Sequence, residues 1–271
     1  MWSDFLSVAE ARFTESALAV LASVAWARPL LHRLAQAGGI KTANLPLLFE
    51  VRVAYELHRA GVTADYEFAA GVGNTTIDFR VYGSPEWLIE TASVGESDAV
   101  KSATRRYGML SEVTLTDVEP DSKSSEEGEL ILLEQKLGEK VFRSGRATKF
   151  PCPKGAMHLI LADTRGFNVG LGDRYDYLHA TEGVSVLRDE VYVRYWNGKP
   201  IKGLFESGNP LAAARLVQER VHFIGFVRER QFCDGEIPRE CYLCPNGRLF
   251  GYSREATLAA YRSFPLRRPA P

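Results

Sequence analysis

Apolar residues recur every three or four positions in two stretches at the start of the chain. Over residues 3–37 this spacing predicts mostly helical structure. Pro29 is expected to break or kink that block, because proline has no N–H to donate within a helix, and Ala37-Gly38-Gly39 should end it. A second helix is predicted from Leu45 to Arg59, with Gly61 just past its end.

The pattern then changes to short apolar runs separated by glycine and proline. These runs predict three strands, at residues 66–68, 76–82 and 87–90. The next elements expected are a short polar helix, a strong helix and a buried strand, at residues 97–106, 130–146 and 157–162. The order from Leu45 to Asp163 is therefore α-β-β-β-α-β.

Between these elements lies an acidic segment, residues 117–129, with six acids, one lysine and no large apolar residue beyond Val118. It is predicted to be an exposed and flexible loop, since it offers almost nothing to bury. Further along, a helix is expected near residues 210–219, a strand near 222–229, and a final helix from Ser253, which has N-cap chemistry.

With 271 residues the chain can form one large domain or two modest ones. We divide it into an N-terminal helical cap outside the site (1–40), a core (41–165) and a C-terminal α+β extension (166–271). Hydrophobic residues make up 45% and charged residues 25%, which excludes disorder as a description of the whole chain.

The charge and the apolar runs limit the partners and the compartment. The net charge of −1 gives no bulk evidence for nucleic acid, so such a partner would need a local basic patch. The longest mainly apolar run, Ala17–Ala27, is about half of a membrane span, so no membrane association is expected. Asp4 and Glu10 stand where a signal peptide would be basic, and four cysteines without such a signal favour a cytoplasmic location.

Two acids stand out because they lie in apolar strands. Asp78 sits between Ile77 and Phe79, and Glu90 ends the run that begins at Trp87. Carboxylates in such places are costly unless they are paired or bound to a metal. A hairpin could bring both to one end of the sheet, where two carboxylates can hold Mg²⁺ together with waters and a phosphate oxygen. The alternative is a pair of ordinary strand-end residues that face solvent.

Residues 49–93 resemble the core of the PD-(D/E)xK nuclease superfamily, which has the restriction-endonuclease-like fold. That family places a Glu on a first helix, an Asp on a second strand and a Glu-x-Lys further along, and Glu50, Asp78 and Glu90 match the three acids. The resemblance covers residues 45–163. It implies an α/β fold with an αβββαβ core, and Mg²⁺ (or Mn²⁺) bound by Asp78 and Glu90, with Glu50 assisting.

The chain departs from the family at the motif lysine, because Ala92 stands in its place. That lysine would orient the attacking water and stabilise negative charge. A lysine from elsewhere can replace it in some members of the superfamily. The helix predicted over 130–146 offers Lys136 and Lys140, which lie one turn apart and so on one face. The alternative is a solvated basic face balanced by neighbouring glutamates.

Basic residues near this helix favour DNA as a partner, since phosphate binding needs a local positive field. They form two clusters in the sequence, Lys136, Lys140, Arg143, Lys149 and Lys154, and Lys101, Arg105 and Arg106. Solubility alone would account for them equally well, and a homodimer or another protein partner stays open.

Cysteines near the C-terminus raise the question of zinc. Cys233, Cys241 and Cys244 include one Cys-x-x-Cys, whereas zinc usually takes four ligands, and neither His222 nor Cys152 has motif spacing for the fourth. Buried or surface thiols are the preferred interpretation. His158, in an apolar run, is interpreted as a core residue.

The sequence therefore supports two possible functions. The first is a Mg²⁺-dependent endonuclease that hydrolyses phosphodiester bonds in DNA, in which Lys136 or Lys140 replaces the motif lysine. The second is a module of the same fold without catalysis that binds nucleic acid or a protein. The three acids favour the first function, and Ala92 favours the second.

Overall fold

The structure is a computed structural model, and it describes residues 6–95, 97–103, 122–166, 174–183, 193–228 and 237–266. Its strands are β1 (Ala64–Ala69), β2 (Thr76–Val81), β3 (Trp87–Gly95), β4 (Phe142–Arg143), β5 (Arg146–Ala147), β6 (Met157–Gly166), β7 (Tyr195–Trp196), β8 (Lys199–Pro200), β9 (Phe223–Val227) and β10 (Cys241–Pro245). Its helices are α1 (Val8–Leu21), α2 (Arg28–Gln36), α3 (Leu45–Arg59), α4 (Asp98–Ala103), α5 (Glu126–Gly138), α6 (Arg174–Thr181), α7 (Ala214–Arg220), α8 (Ile237–Glu240) and α9 (Arg254–Arg262).

Six strands form one mixed sheet in the order β1-β2-β3-β6-β9-β10. The first three strands form an antiparallel meander, β3, β6 and β9 are parallel, and β10 runs antiparallel to β9. The described part of the chain is thus a mixed α/β structure, and its element order contains the predicted α-β-β-β-α-β series with α4 and the β4–β5 hairpin added. Strands β9 and β10 place the C-terminal segment in the same sheet as the core.

Helices cover both faces of this sheet. On one face α1 and α2 enclose α3. Ten residues of α3 are therefore buried, whereas a surface helix would bury only one apolar stripe. On the other face α5, α6 and α7 bury their apolar side chains against β3, β6 and β9. Pro29 lies at the first turn of α2, where a missing N–H is tolerated, so the N-terminal block breaks just before it as predicted.

The helix predicted over residues 130–146 begins and ends earlier than expected. Ser125 caps α5, because its Oγ accepts a hydrogen bond from the Gly128 N–H at 3.0 Å. At the other end, Ser144 and Gly145 have φ of 51° and 75°, which no right-handed helix contains, and the chain forms the β4–β5 hairpin there.

The prediction of an exposed loop over residues 117–129 is wrong for its second half. Ser125 and Glu129 are fully buried, since the acids there form the first turn of α5 and their negative charge suits a helix N-terminus. Residues 117–121 lie outside the described residues.

The Cys-x-x-Cys lies on a strand, and this separates its two thiols. Residues three apart in a strand point to opposite faces. Accordingly Cys241 packs against the core beneath α3, whereas Cys244 is part of the core beneath α5. The two thiols therefore cannot bind the same zinc ion. Cys233, the other ligand considered, lies outside the described residues.

None of the helices in the described ranges is long and apolar enough to cross a membrane.

Two histidines pack together within the sheet. His158 and His222 are 1% and 7% exposed, and the His158 backbone N–H donates to His222 Nδ1 at 3.0 Å. The His158 ring bonds the Arg220 carbonyl and stacks on Phe150, which confirms its interpretation as a core residue. Burial lowers the pKa of each imidazole to about 4.

We expect this pair to make stability fall in acid. The unfolded imidazoles have pKa values near 6.5, so the unfolded state binds more protons as the pH falls from about 6.5 to about 4. Each depressed pKa then removes on the order of 3 kcal/mol from the free energy of unfolding.

Denaturant unfolding of the wild type and of His222→Gln between these pH values tests the expectation, because glutamine keeps an acceptor but does not titrate. The variant should lose less stability in acid than the wild type. The comparison is needed because buried carboxyls with raised pKa values change stability in the opposite direction. Parallel stability curves for the two proteins would contradict the assignment.

Candidate functional site

The three acids matched by sequence come from α3, β2 and β3 and lie close together. Glu50, Asp78 and Glu90 are all buried, at 7%, 7% and 1% exposure. Burial raises the pKa of both glutamates, the charge on Asp78 raises both further, and Glu90 also raises that of Glu50. The structure therefore brings the predicted acids into one electrostatic cluster.

Asp78 lies where the sheet is locally interrupted. The β1–β2 ladder pairs Tyr66 with Phe79 and Phe68 with Ile77 but skips Asp78, and the β2–β3 ladder ends at Phe79. The residue across from Asp78, Glu67, has a left-handed φ of 54°, which is uncommon for a non-glycine residue. Strained backbone of this kind concentrates at functional sites.

The side chain of Asp78 replaces the missing ladder bond. Its Oδ2 accepts hydrogen bonds from the Thr91 backbone N–H at 2.7 Å and from Thr91 Oγ1 at 2.6 Å. Among the described residues no hydrogen bond ends on Oδ1 of Asp78, so that oxygen stays available to a ligand. Thr91 follows Glu90 directly, but no motif pointed to it in the sequence.

Glu90 has one oxygen held by two amines and one oxygen without a partner. Its Oε1 lies 3.0 Å from Lys140 Nζ and 3.1 Å from Lys149 Nζ. Its Oε2 is buried, with no hydrogen-bond partner in the part of the chain that the structure describes. Burial and then Asp78 raise the pKa of Glu90, while the two lysines act to lower it.

The structure separates the two lysines proposed to replace the motif lysine. Lys140 reaches Glu90, whereas Lys136 donates to the Gly95 carbonyl at 3.1 Å, and burial lowers the pKa of its amine. Position 92 could not hold the amine that reaches Glu90, because it is 4% exposed and belongs to the apolar core beneath α5, whereas Lys140 lies just after the end of that helix. A lysine at position 92 would bury its charge among apolar residues.

Lys149 is a site residue that sequence reasoning placed only in a basic cluster. It has a left-handed φ of 59°, and its backbone N–H donates to Thr75 Oγ1 at 2.8 Å. This bond ties the residue to the start of β2 and aims its side chain back at Glu90. The signal is purely three-dimensional, because Lys149 and Glu90 are far apart in the sequence.

Glu50 is held by groups from two other elements. Tyr66 on β1 donates its hydroxyl hydrogen to Glu50 Oε2. Arg33 on α2 donates to the same oxygen at 3.4 Å, to the Tyr66 hydroxyl at 2.6 Å and to Glu67 Oε1 at 3.0 Å. Arg33 belongs to the N-terminal helical cap, so the interpretation that this cap lies outside the site is wrong for Arg33.

The candidate ligands for a divalent cation are two carboxylates, those of Asp78 and Glu90. No group of three or more His, Cys, Asp or Glu side chains within the described ranges has the arrangement to hold a metal ion. Mg²⁺, however, commonly takes one or two carboxylates and completes its shell with waters and substrate phosphates. The buried Oε2 of Glu90 lacks a partner, and it is the oxygen that such a cation would satisfy.

The raised pKa of Glu50 gives a prediction for the metal-free protein. Burial and the charge of Asp78 raise this pKa to about 7, while Tyr66 and Arg33 lower it. Replacing Tyr66 by Phe removes a bond that favours the charged form, so the pKa of Glu50 should rise further.

Carbon-13 titration of the glutamate carboxyls in EDTA measures this shift, with Glu50→Gln used to assign the signal. Tyr82→Phe is the matched control, because Tyr82 donates instead to Asp65. The Glu50 signal should keep its midpoint in the control. A Glu50 midpoint near the ordinary glutamate value in the wild type would contradict the described geometry.

No family model, curated protein or solved structure matches this chain. Its function must therefore be inferred from the geometry of the site itself.

Proposed function

We propose that the protein is a metal-dependent nuclease that hydrolyses phosphodiester bonds in DNA, with Asp78 and Glu90 as ligands of a Mg²⁺ or Mn²⁺ ion. The observation that carries the proposal is the state of Glu90. This carboxylate is 1% exposed, has two amines on Oε1 and has no partner on Oε2 among the described residues. Glu129 and Glu134 also have one buried oxygen without a partner among the described residues, so Glu90 is set apart by its two amines and by the charge of the neighbouring Asp78.

The residues around the pair have chemistry that suits phosphodiester hydrolysis. A bound divalent cation supplies Lewis acidity and lowers the pKa of a bound water. Lys140 and Lys149 share one oxygen of Glu90, so either amine can turn to a phosphate oxygen while the other still neutralises Glu90. This positive charge replaces that of the lysine missing at position 92 and opposes the charge that develops on the phosphate.

Glu50 supports the pair from the α3 side. It is buried next to Asp78, and Tyr66 and Arg33 fix its Oε2. In the metal-free protein its pKa is about 7, so this carboxyl can take up and release a proton near neutral pH. We assign Glu50 the role of accepting a proton from the attacking water.

The rival proposal is a binding module of the same fold without catalysis, and Ala92 is the observation that favours it. The same site would then bind a phosphate group without cleaving it. The two proposals differ in one measurable property, which is cleavage of DNA in the presence of a divalent cation.

The first test is a nuclease assay on plasmid and single-stranded DNA with Mg²⁺ or Mn²⁺, compared with EDTA. We expect cleavage that requires the cation and is lost in Asp78→Asn and Glu90→Gln. Glu134→Gln is the matched control, since Glu134 is equally buried on α5 but accepts a hydrogen bond from Asn209 and contacts neither lysine. A wild-type protein that binds DNA and cleaves none with either cation would favour the binding module.

The second test separates the lysines. Lys140→Met and Lys149→Met keep most of the side-chain volume and remove the charge at Glu90. We expect each to slow cleavage, and the double variant to lose about 10²- to 10³-fold in kcat, as is typical for preorganised electrostatic contacts. Lys136→Met should cleave at close to the wild-type rate, because its amine binds Gly95. Wild-type rates in the Lys140 and Lys149 double variant would refute the assigned role.

A further inference from the structure

A short hairpin projects from the chain between the two lysines that bind Glu90. Strands β4 and β5 pair Phe142 with Ala147 and Arg143 with Arg146. The connecting turn has two residues, Ser144 and Gly145, both with positive φ, which is the turn that matches the twist of a tight hairpin. The hairpin is therefore a defined element of structure and not an irregular loop.

The two arginines of the hairpin lie directly opposite each other and so share one face. Both are exposed, and neither makes a hydrogen bond or ion pair with the residues that the structure describes. The other face carries Phe142 and Ala147, which are half-buried against the protein. Like charges directly opposite on a hairpin are destabilising, so this arrangement costs stability unless an anion lies between them.

The hairpin is held in a fixed position relative to the acids. Lys140 precedes it and Lys149 follows it, and both amines end on Glu90 Oε1. Its base is closed by the Thr148 N–H, which donates to the Val141 carbonyl at 2.8 Å, and by Thr148 Oγ1, which donates to the Lys140 carbonyl at 3.3 Å. The hairpin that carries the two arginines is thus joined at both ends to the segments whose amines reach Glu90.

From this geometry we infer that Arg143 and Arg146 form a clamp that grips the DNA backbone next to the phosphate to be cleaved. This inference rests on the proposed function for the identity of the substrate. Guanidinium groups bind phosphate oxygens in a bidentate manner and keep their charge at any working pH. With a net charge of −1 the chain has no general attraction for DNA, so a local clamp is needed to hold a polyanion beside three carboxylates.

Such a clamp contacts phosphate and not bases, so it should be independent of DNA sequence and sensitive to salt. Each phosphate contact adds about 0.9 to the slope of log affinity against log salt. Replacing both arginines by glutamine should therefore lower this slope by close to 2 and weaken binding at least about tenfold near 0.1 M salt. In the presence of Mg²⁺ the same variant should show a raised KM with kcat nearly unchanged.

The experiment measures fluorescence anisotropy of labelled duplexes of two unrelated sequences, in EDTA, at salt concentrations from about 50 to 200 mM. Arg254→Gln with Arg262→Gln is the matched control, because both residues are exposed on α9 and the change in charge is the same. The control should keep the wild-type slope on both duplexes. Circular dichroism melting should show that both double variants remain folded.

The outcomes distinguish the clamp from the nuclease. An unchanged slope in the hairpin variant, an equal loss in the α9 control, or no DNA binding by the wild type overturns the clamp. A wild type that binds DNA through the hairpin and cleaves none with Mg²⁺ or Mn²⁺ overturns the nuclease proposal and leaves the clamp in place. A wild type that cleaves DNA while the hairpin variant keeps its slope overturns the clamp alone.

Discussion

The contact between Glu90 and two lysine amines is the interaction on which the rest of this site depends. A carboxylate buried in a sheet is costly unless hydrogen bonds, a proton or an opposite charge offset its burial, and at Glu90 the offset is positive charge. In this chain the charge cannot come from the neighbouring strand position, because Ala92 faces an apolar core. It comes instead from Lys140, which follows α5, and from Lys149, which follows the hairpin. The site therefore depends on where α5 ends relative to the position of Glu90 on β3.

The opposite side of the cluster depends on the N-terminal helices in the same way. Glu50 lies on a helix that is enclosed by α1, α2 and the sheet, so its charge also needs support within the protein. Arg33 supplies that support from α2 and reaches Glu67 as well, where the β1 backbone is left-handed. The cap thus contributes to the electrostatics of the acids in addition to covering α3.

The regular helices and strands are predictable from the sequence, because the spacing of apolar residues that indicates each element lies within a short stretch of the chain. The bounds of α3 follow from the sequence, and the three strands of the meander were located within a few residues. The prediction of one helix over residues 130–146 failed because Ser144-Gly145 favours a tight turn, a local signal that the apolar period concealed. The Cys-x-x-Cys spacing suggests zinc only if the segment is read as a loop, because alternation along β10 places its thiols on opposite faces of the sheet.

The acids of the site were predictable and their partners were not. Asp78 and Glu90 stood out as charged residues within apolar runs. Arg33, Tyr66 and Lys149 gave no comparable signal, because each lies on another element and meets its carboxylate only when the chain has folded. Lys140 was found only as one of two equivalent residues on a helix face, and the end of α5 decides which of them reaches Glu90.

The hairpin has a consequence for how such a protein can diversify. Its turn is exposed, and its two ends are fixed by the amines on Glu90 and by Thr148. Residues inserted at this turn would change what the tip contacts without moving either lysine, since exposed loop tips accept insertions at little cost. The preference of the hairpin for one kind of bound partner can therefore evolve at the tip while Glu90 and its two lysines keep their positions.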